Sequence, residues 1–126
     1  MAVKNAFNRQ KVLAIVADLG IGNIGAGNEV TAKLPQGALV VDVQSHTVTA
    51  FDGTTNTATI TDGTTAFVSA VDVKSTGIET AAVAGKFYPQ GGTITFSLAQ
   101  TGTATVGRNI GVVQYVQLGV GDAVYG

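Results

Sequence analysis

Residues 93–98 read Thr93-Ile94-Thr95-Phe96-Ser97-Leu98, and polar and apolar residues alternate there without a fault. Successive side chains of a strand leave on opposite faces, so Ile94, Phe96 and Leu98 share one face while Thr93, Thr95 and Ser97 share the other. β-branched and aromatic residues at a period of two identify a strand packed against a core on one side. The same reading extends along the chain. Ile110, Val112, Gln114, Val116 and Leu118 fall on one face of a later strand, with Val113 and Tyr115 on the other. Both faces are partly apolar, as in a strand packed on one side and covered by a neighbour on the other. That strand belongs to a run over residues 104–118, interrupted near Gly107 or Gly111. Residues 38–51 form a second long β-branched run, and shorter strands are expected at 30–34, 57–61, 66–73 and 78–82. Val12-Leu13-Ala14-Ile15-Val16-Ala17 is apolar throughout, a candidate central strand that periodicity alone does not separate from a buried helix turn.

Turn chemistry separates these segments. Asp52-Gly53 and Asp62-Gly63 are read as tight hairpin turns, because Gly tolerates positive φ and Asp bonds its own backbone. The tetrapeptide Asp-Gly-Thr-Thr occurs at 52–55 and again at 62–65, a local echo too short to mean a solenoid. No amphipathic helix of useful length is present. About eight strands at this spacing predict an all-β fold, a two-sheet antiparallel β-sandwich. The long runs at 38–51 and 104–118 favour a jelly-roll form over an immunoglobulin-like one. At this length one domain is expected, with an N-terminal arm over 1–10, the sandwich over 11–118 and a C-terminal tail over 119–126.

Only 12% of the residues are charged and 45% are hydrophobic, whereas soluble domains carry about 25% charge. A β domain with so little ionic surface is expected to have that surface covered by companions. Threonine supplies the outward polar groups instead, and it protects strand edges poorly against pairing with another chain. With a net charge of −1 and basic residues scattered in no stripe, nucleic acid is not an expected partner. No segment approaches the ~20 apolar residues of a membrane span, and the longest apolar stretch is too short for a signal-peptide core. Synthesis in the cytoplasm is therefore expected, with use there or export as part of something larger.

The motifs that could carry chemistry lack their context. Gly20-Ile21-Gly22-Asn23-Ile24-Gly25 is a literal G-x-G-x-x-G after an apolar strand. A dinucleotide site needs a helix next, and Gly27, Val30-Thr31 and Leu34-Pro35 stop one, so the stretch is read as a flexible glycine loop. His46 is the only histidine. On its strand it shares a face with Gln44 and Val48, opposite Val41, Val43 and Ser45, and no nucleophile elbow accompanies it. Asp52, Asp62 and Asp72 recur every ten residues, but the first two are explained by turns and the third by a strand, so no metal is assigned. Glu29 and Glu79 are the only glutamates, with nothing to bring them together for glycoside hydrolysis. There is no cysteine. The chain is thus expected to be no enzyme and to need no cofactor. Phe87-Tyr88-Pro89-Gln90-Gly91-Gly92 is read as a loop carrying an aromatic pair. Contacts to other subunits are assigned to Phe7 and Arg9 of the arm, Phe87 and Tyr88 of that loop, and Tyr125 of the tail. The alternative is a tail-associated carbohydrate- or receptor-binding module, in which Phe87, Tyr88 and the Asp-Gly loops would form a sugar platform.

The stretch Leu34-Pro35-Gln36-Gly37-Ala38-Leu39-Val40-Val41-Asp42-Val43, followed by Thr49-Ala50-Phe51-Asp52-Gly53, resembles head decoration (cement) proteins of tailed bacteriophages. So do Thr101-Gly102-Thr103-Ala104-Thr105-Val106-Gly107 and Val112-Val113-Gln114-Tyr115-Val116. The resemblance spans residues 34–118, with Thr61-Asp62-Gly63-Thr64 where the family has a charged Gly-Asp-x-Asp turn. It implies a jelly-roll-like subunit on the capsid exterior of the virion. Its partners would be the phage major capsid protein and itself, as a dimer or trimer, without nucleic acid or membrane.

Overall fold

The computed structural model describes residues 12–25, 27–80 and 85–117, so the arm over 1–10 and the tail over 119–126 lie outside the described residues. The described residues form nine strands: β1 (Leu13–Gly20), β2 (Val30–Leu34), β3 (Ala38–Thr49), β4 (Thr55–Thr61), β5 (Ala66–Asp72), β6 (Gly77–Thr80), β7 (Lys86–Tyr88), β8 (Gly92–Thr101) and β9 (Arg108–Gln117). The fold is a two-sheet antiparallel sandwich. One sheet runs β1-β9-β3-β6, with β7 pairing the other end of β3, and the second runs β2-β8-β4-β5. We call them the first and the second sheet.

The pairings nest. β1 pairs β9, β2 pairs β8, β3 pairs β6 and β7, and β4 pairs β5, every pair antiparallel. A single long ribbon folded back on itself at the β4–β5 turn and then wrapped produces this order, which is the double Greek key of a jelly roll. The ninth strand comes from division of the strand opposite β3 into β6 and β7. Lys86–Tyr88, expected in a loop, forms β7 against Ala38–Val40.

Alternation builds the core between the sheets. Ile94, Phe96 and Leu98 of β8 point inward as the sequence predicts, beside Ala58 and Ile60 of β4, Phe67 and Val68 of β5, and Val40 and Val43 of β3. Val113 is the buried apolar residue of β9, so the core lies on that side and Ile110 and Val112 face outward. Ala17, Gly111 and Ser45 are opposed in one inward row of the first sheet. This small-residue row leaves room for the Phe96 ring, and a Cβ at Gly111 would collide with it. Gly107, by contrast, ends the loop before β9, with φ +156° and the Phe51 ring against its Cα. The final strand therefore starts at Arg108, with its break at Gly107 and none at Gly111.

Two expectations are corrected by tertiary pairing. β1 is an edge strand of the first sheet and not a central one. Its apolar residues occupy both faces because Ile15, Ala17 and Leu19 turn inward while Val16 stays 62% exposed. In β3 the register shifts between Val40 and Asp42, a bulge that puts Val41 outside and returns Val43 and Ser45 to the core.

Candidate interaction surface

The two outer faces of the sandwich differ in chemistry. Outward residues of β4 are Thr55, Thr57, Thr59 and Thr61, opposed across the ladder to Thr101, Ala99, Ser97 and Thr95 of β8. Hydroxyls dominate this face, with Asp72 of β5 opposed to Thr57, and Thr55 and Thr101 bond to each other at 2.6 Å. Lys33 of β2 lies beside Thr93 at its end.

The outer face of the first sheet is apolar by comparison. One row crosses from Val16 through Val112 to Gln44 and Thr80, and the next from Asp18 through Ile110 and His46 to Ile78. A third row joins Val116, Leu39 and Phe87. Val16, Ile78 (61% exposed) and Phe87 (47%) stand in this face without cover among the described residues. A polar row of Ala14, Gln114 and Asp42 lies between the rows of Val112 and Val116, and the other charges on the face are Asp18 and Arg108. Asp18 receives two hydrogen bonds from Arg108, Nε to Oδ1 at 3.0 Å and Nη2 to Oδ2 at 2.7 Å. This forked contact holds the Asp18 carboxyl below its ordinary value. His46 is half-buried, with Nε2 2.8 Å from Gln44 Oε1.

Of the residues assigned to contacts, Phe7, Arg9 and Tyr125 lie outside the described residues. Phe87 and Tyr88 are neighbours on β7 and therefore point to opposite sides. Phe87 is on the surface, whereas Tyr88 is 7% exposed and turned into the sandwich. Its hydroxyl donates to Asp62 Oδ2 at 2.7 Å, and Lys86 Nζ donates to the same oxygen at 2.6 Å.

Asp62 is the centre of a cross-sheet tie. It sits in the β4–β5 turn, where its Oδ1 accepts the N–H groups of Thr64 and Thr65, while Lys86 and Tyr88 reach it from the first sheet. The Asp62 side chain is only 4% exposed. Burial alone would raise its carboxyl, but Lys86, the Thr65 amide, the Tyr88 hydroxyl and the Thr64 amide together drive it far below the usual range. Tyr88 is pushed up, first by burial and then by Asp62. Sequence separations of 24 and 26 residues hid this cluster from pattern reading. Asp62, Lys86, Phe87, Tyr88 and Gln90 also line a shallow depression at this end of the sandwich.

Asp62-Gly63 is the hairpin turn expected, but Asp52-Gly53 is not a hairpin. It carries the chain from β3 in one sheet to β4 in the other. Asp52 accepts the amides of Thr105 (2.6 Å) and Val106 (3.2 Å), and the Thr105 hydroxyl first, then these amides, lower its carboxyl. Asp72 ends β5 and accepts the Lys74 amide at 2.8 Å. Among the described residues no three of His, Asp and Glu come together.

The Gly20–Gly25 stretch contains one 3₁₀ turn, Ile21–Asn23, and among the described residues no α-helix follows. Expected to be a flexible loop, it is held by its asparagines. Asn23 Oδ1 accepts the Gly20 amide at 2.9 Å, and Asn28 Nδ2 donates to the Ile24 carbonyl at 2.8 Å. The Gly25 amide then bonds Leu98 O, also at 2.9 Å, which anchors the crossing on the second sheet.

No protein-family model matches the chain, and no curated protein matches it. It is similar to a chain in a solved structure described as the acidic stable capsid structure of Helicobacter pylori bacteriophage KHP30. The TM-score is 0.59 at 20% identity, covering 86% of this chain and 89% of that chain. At that identity the likeness is one of fold.

Proposed function

We propose that the chain is a virion structural protein, a decoration or cement subunit that binds the outside of a phage head and bridges major capsid proteins. The observation that carries the reading is the contrast between the two outer faces, threonine on the second sheet and exposed Val16, Ile78 and Phe87 on the first. A face of that kind is characteristic of a contact site. Likeness of fold to a chain from a phage capsid structure and the low charge of the sequence support the same conclusion. The sandwich acts as a rigid block without catalysis. A stable contact buries about 1,600 Å² in total, so modest contacts repeated over a shell sum to a large resistance against internal pressure.

The test is binding of purified protein to heads that lack it, followed by sedimentation and heating of the particles. Heads should take up the protein and release DNA at a higher temperature. Ile78→Lys places a charge on the apolar face without touching the core, and it should weaken uptake at least tenfold. Heads that ignore the wild-type protein would end the proposal.

A second reading, a tail-associated carbohydrate- or receptor-binding module, draws on the depression where the Asp62 turn meets Phe87 and Gln90. Glycan binding that disappears in Phe87→Ala, with no uptake by heads, would favour it.

A further inference from the structure

We propose that two copies of this chain pair through the free edge of β1, antiparallel about a two-fold axis at Val16, so that the first sheets of both copies become one continuous sheet. The inference rests on a contrast among the four sheet edges. β2 has five residues and carries the outward Lys33. β5 is bulged twice against β4 and contains Ala70 at φ +47°. The edge opposite β1 is broken into β6, with four residues, and β7, with three, carrying Glu79 and Lys86. Shortness, bulges and charge are the devices that keep an edge from adding a foreign strand.

β1 is neither short nor bulged, and it carries one charge. Eight residues pair with β9 in unbroken register, and among the described residues nothing pairs with their other side. The strand contains no proline or lysine. Its single charge, Asp18, is already matched by the forked contact from Arg108. Val12, Leu13 and Val16 are exposed along it.

Self-complementarity selects the occupant and the register. Residues directly opposed in an antiparallel pair share a face, so an outward residue must meet an outward residue. Two registers keep nearly the whole strand paired. With Ala17 on the axis, each Asp18 would be pressed against Val16. With Val16 on the axis, Val16 meets Val16, Ala14 meets Asp18 and Leu13 meets Leu19, and no like charges oppose. The second register covers the most exposed apolar residue of the strand with its own copy. It also places the row Val112–Val16 beside its symmetry mate, which doubles the apolar face proposed above for the shell.

The chain has no cysteine, so introduced thiols report the register directly. Opposed Cβ atoms lie about 4.5–5.5 Å apart, near enough for a disulfide after a small adjustment. Wild-type protein should sediment as a dimer at micromolar concentration, and Val16→Cys should cross-link to itself on mild oxidation. Ala14→Cys and Asp18→Cys should each cross-link poorly alone and well when mixed. Val16→Lys, whose side chain points to solvent in the isolated chain, should remain folded by circular dichroism and sediment as a monomer. Wild-type protein that stays monomeric, or a cysteine set that cross-links in another pattern, overturns the pairing. Monomers that still bind heads would leave the decoration reading intact, and dimers that ignore heads would sink that reading while keeping the pairing.

Discussion

At the residue scale, two positions carry more of the fold than their chemistry suggests. Gly111 looks like a weak point in a strand, yet its missing side chain is the space that the Phe96 ring occupies. Gly111→Ala should therefore lower the unfolding free energy by about 1–3 kcal/mol in urea titrations, the usual cost of overpacking. Gly22→Ala meets open space and should shift it by less than about 0.5 kcal/mol. Asp62 joins the two sheets with a carboxylate held charged by Lys86, Tyr88 and two turn amides. Asp62→Asn should cost about 2 kcal/mol at neutral pH. Because the folded carboxyl titrates below the unfolded value of about 3.9, its contribution is complete above about pH 4. It drains away as pH falls toward the depressed native value, so variant and wild type should converge in acid denaturation. None of this was legible from residue spacing. Asp62-Gly63 announces a turn, but its partners on β7 are supplied by the wrapping of the ribbon.

At the element scale, local pattern and tertiary position part company. The alternation at Thr93–Leu98 was readable because one face of β8 meets the core and the other meets water. β1 was misread as central because Val16 is apolar without being covered by the described residues, and a pattern cannot distinguish a neighbour in the same chain from one in another. The bulge at Val41 leaves no trace in Val40-Val41-Asp42-Val43, which alternates acceptably in either register. β7 is only three residues between Gly85 and Pro89, below the length at which a period can be detected. Asp52-Gly53 and Asp62-Gly63 have the same turn chemistry, although one crosses between sheets and the other closes a hairpin. The crossing is tied by Asp52 to the loop before β9, so Asp52→Ala should deprotect the Thr105 and Val106 amides in hydrogen exchange. Protection within β3 and β8 should be unchanged.

At the scale of the whole molecule, hydroxyls dominate one outer face of the sandwich, whereas the other exposes Val16, Ile78 and Phe87 among polar and charged groups that include Asp42. A freely soluble monomer gains nothing from that asymmetry, whereas a subunit seated on a shell has one side to hide and one to leave wet. The class of fold was evident in the spacing of strands and turns, and low charge is one ground of the proposed assembly role. Which residues the first sheet exposes was not evident, because that depends on which alternating set turns outward. The most direct measurement is an electron cryomicroscopy map of heads incubated with the purified protein. The decoration reading requires sandwich-shaped density outside the shell, spanning neighbouring capsid subunits, with Ile78 and Phe87 turned toward them and the β4–β8 threonines toward solvent. Density seated on the threonine face, or heads left bare at saturating protein, would contradict it.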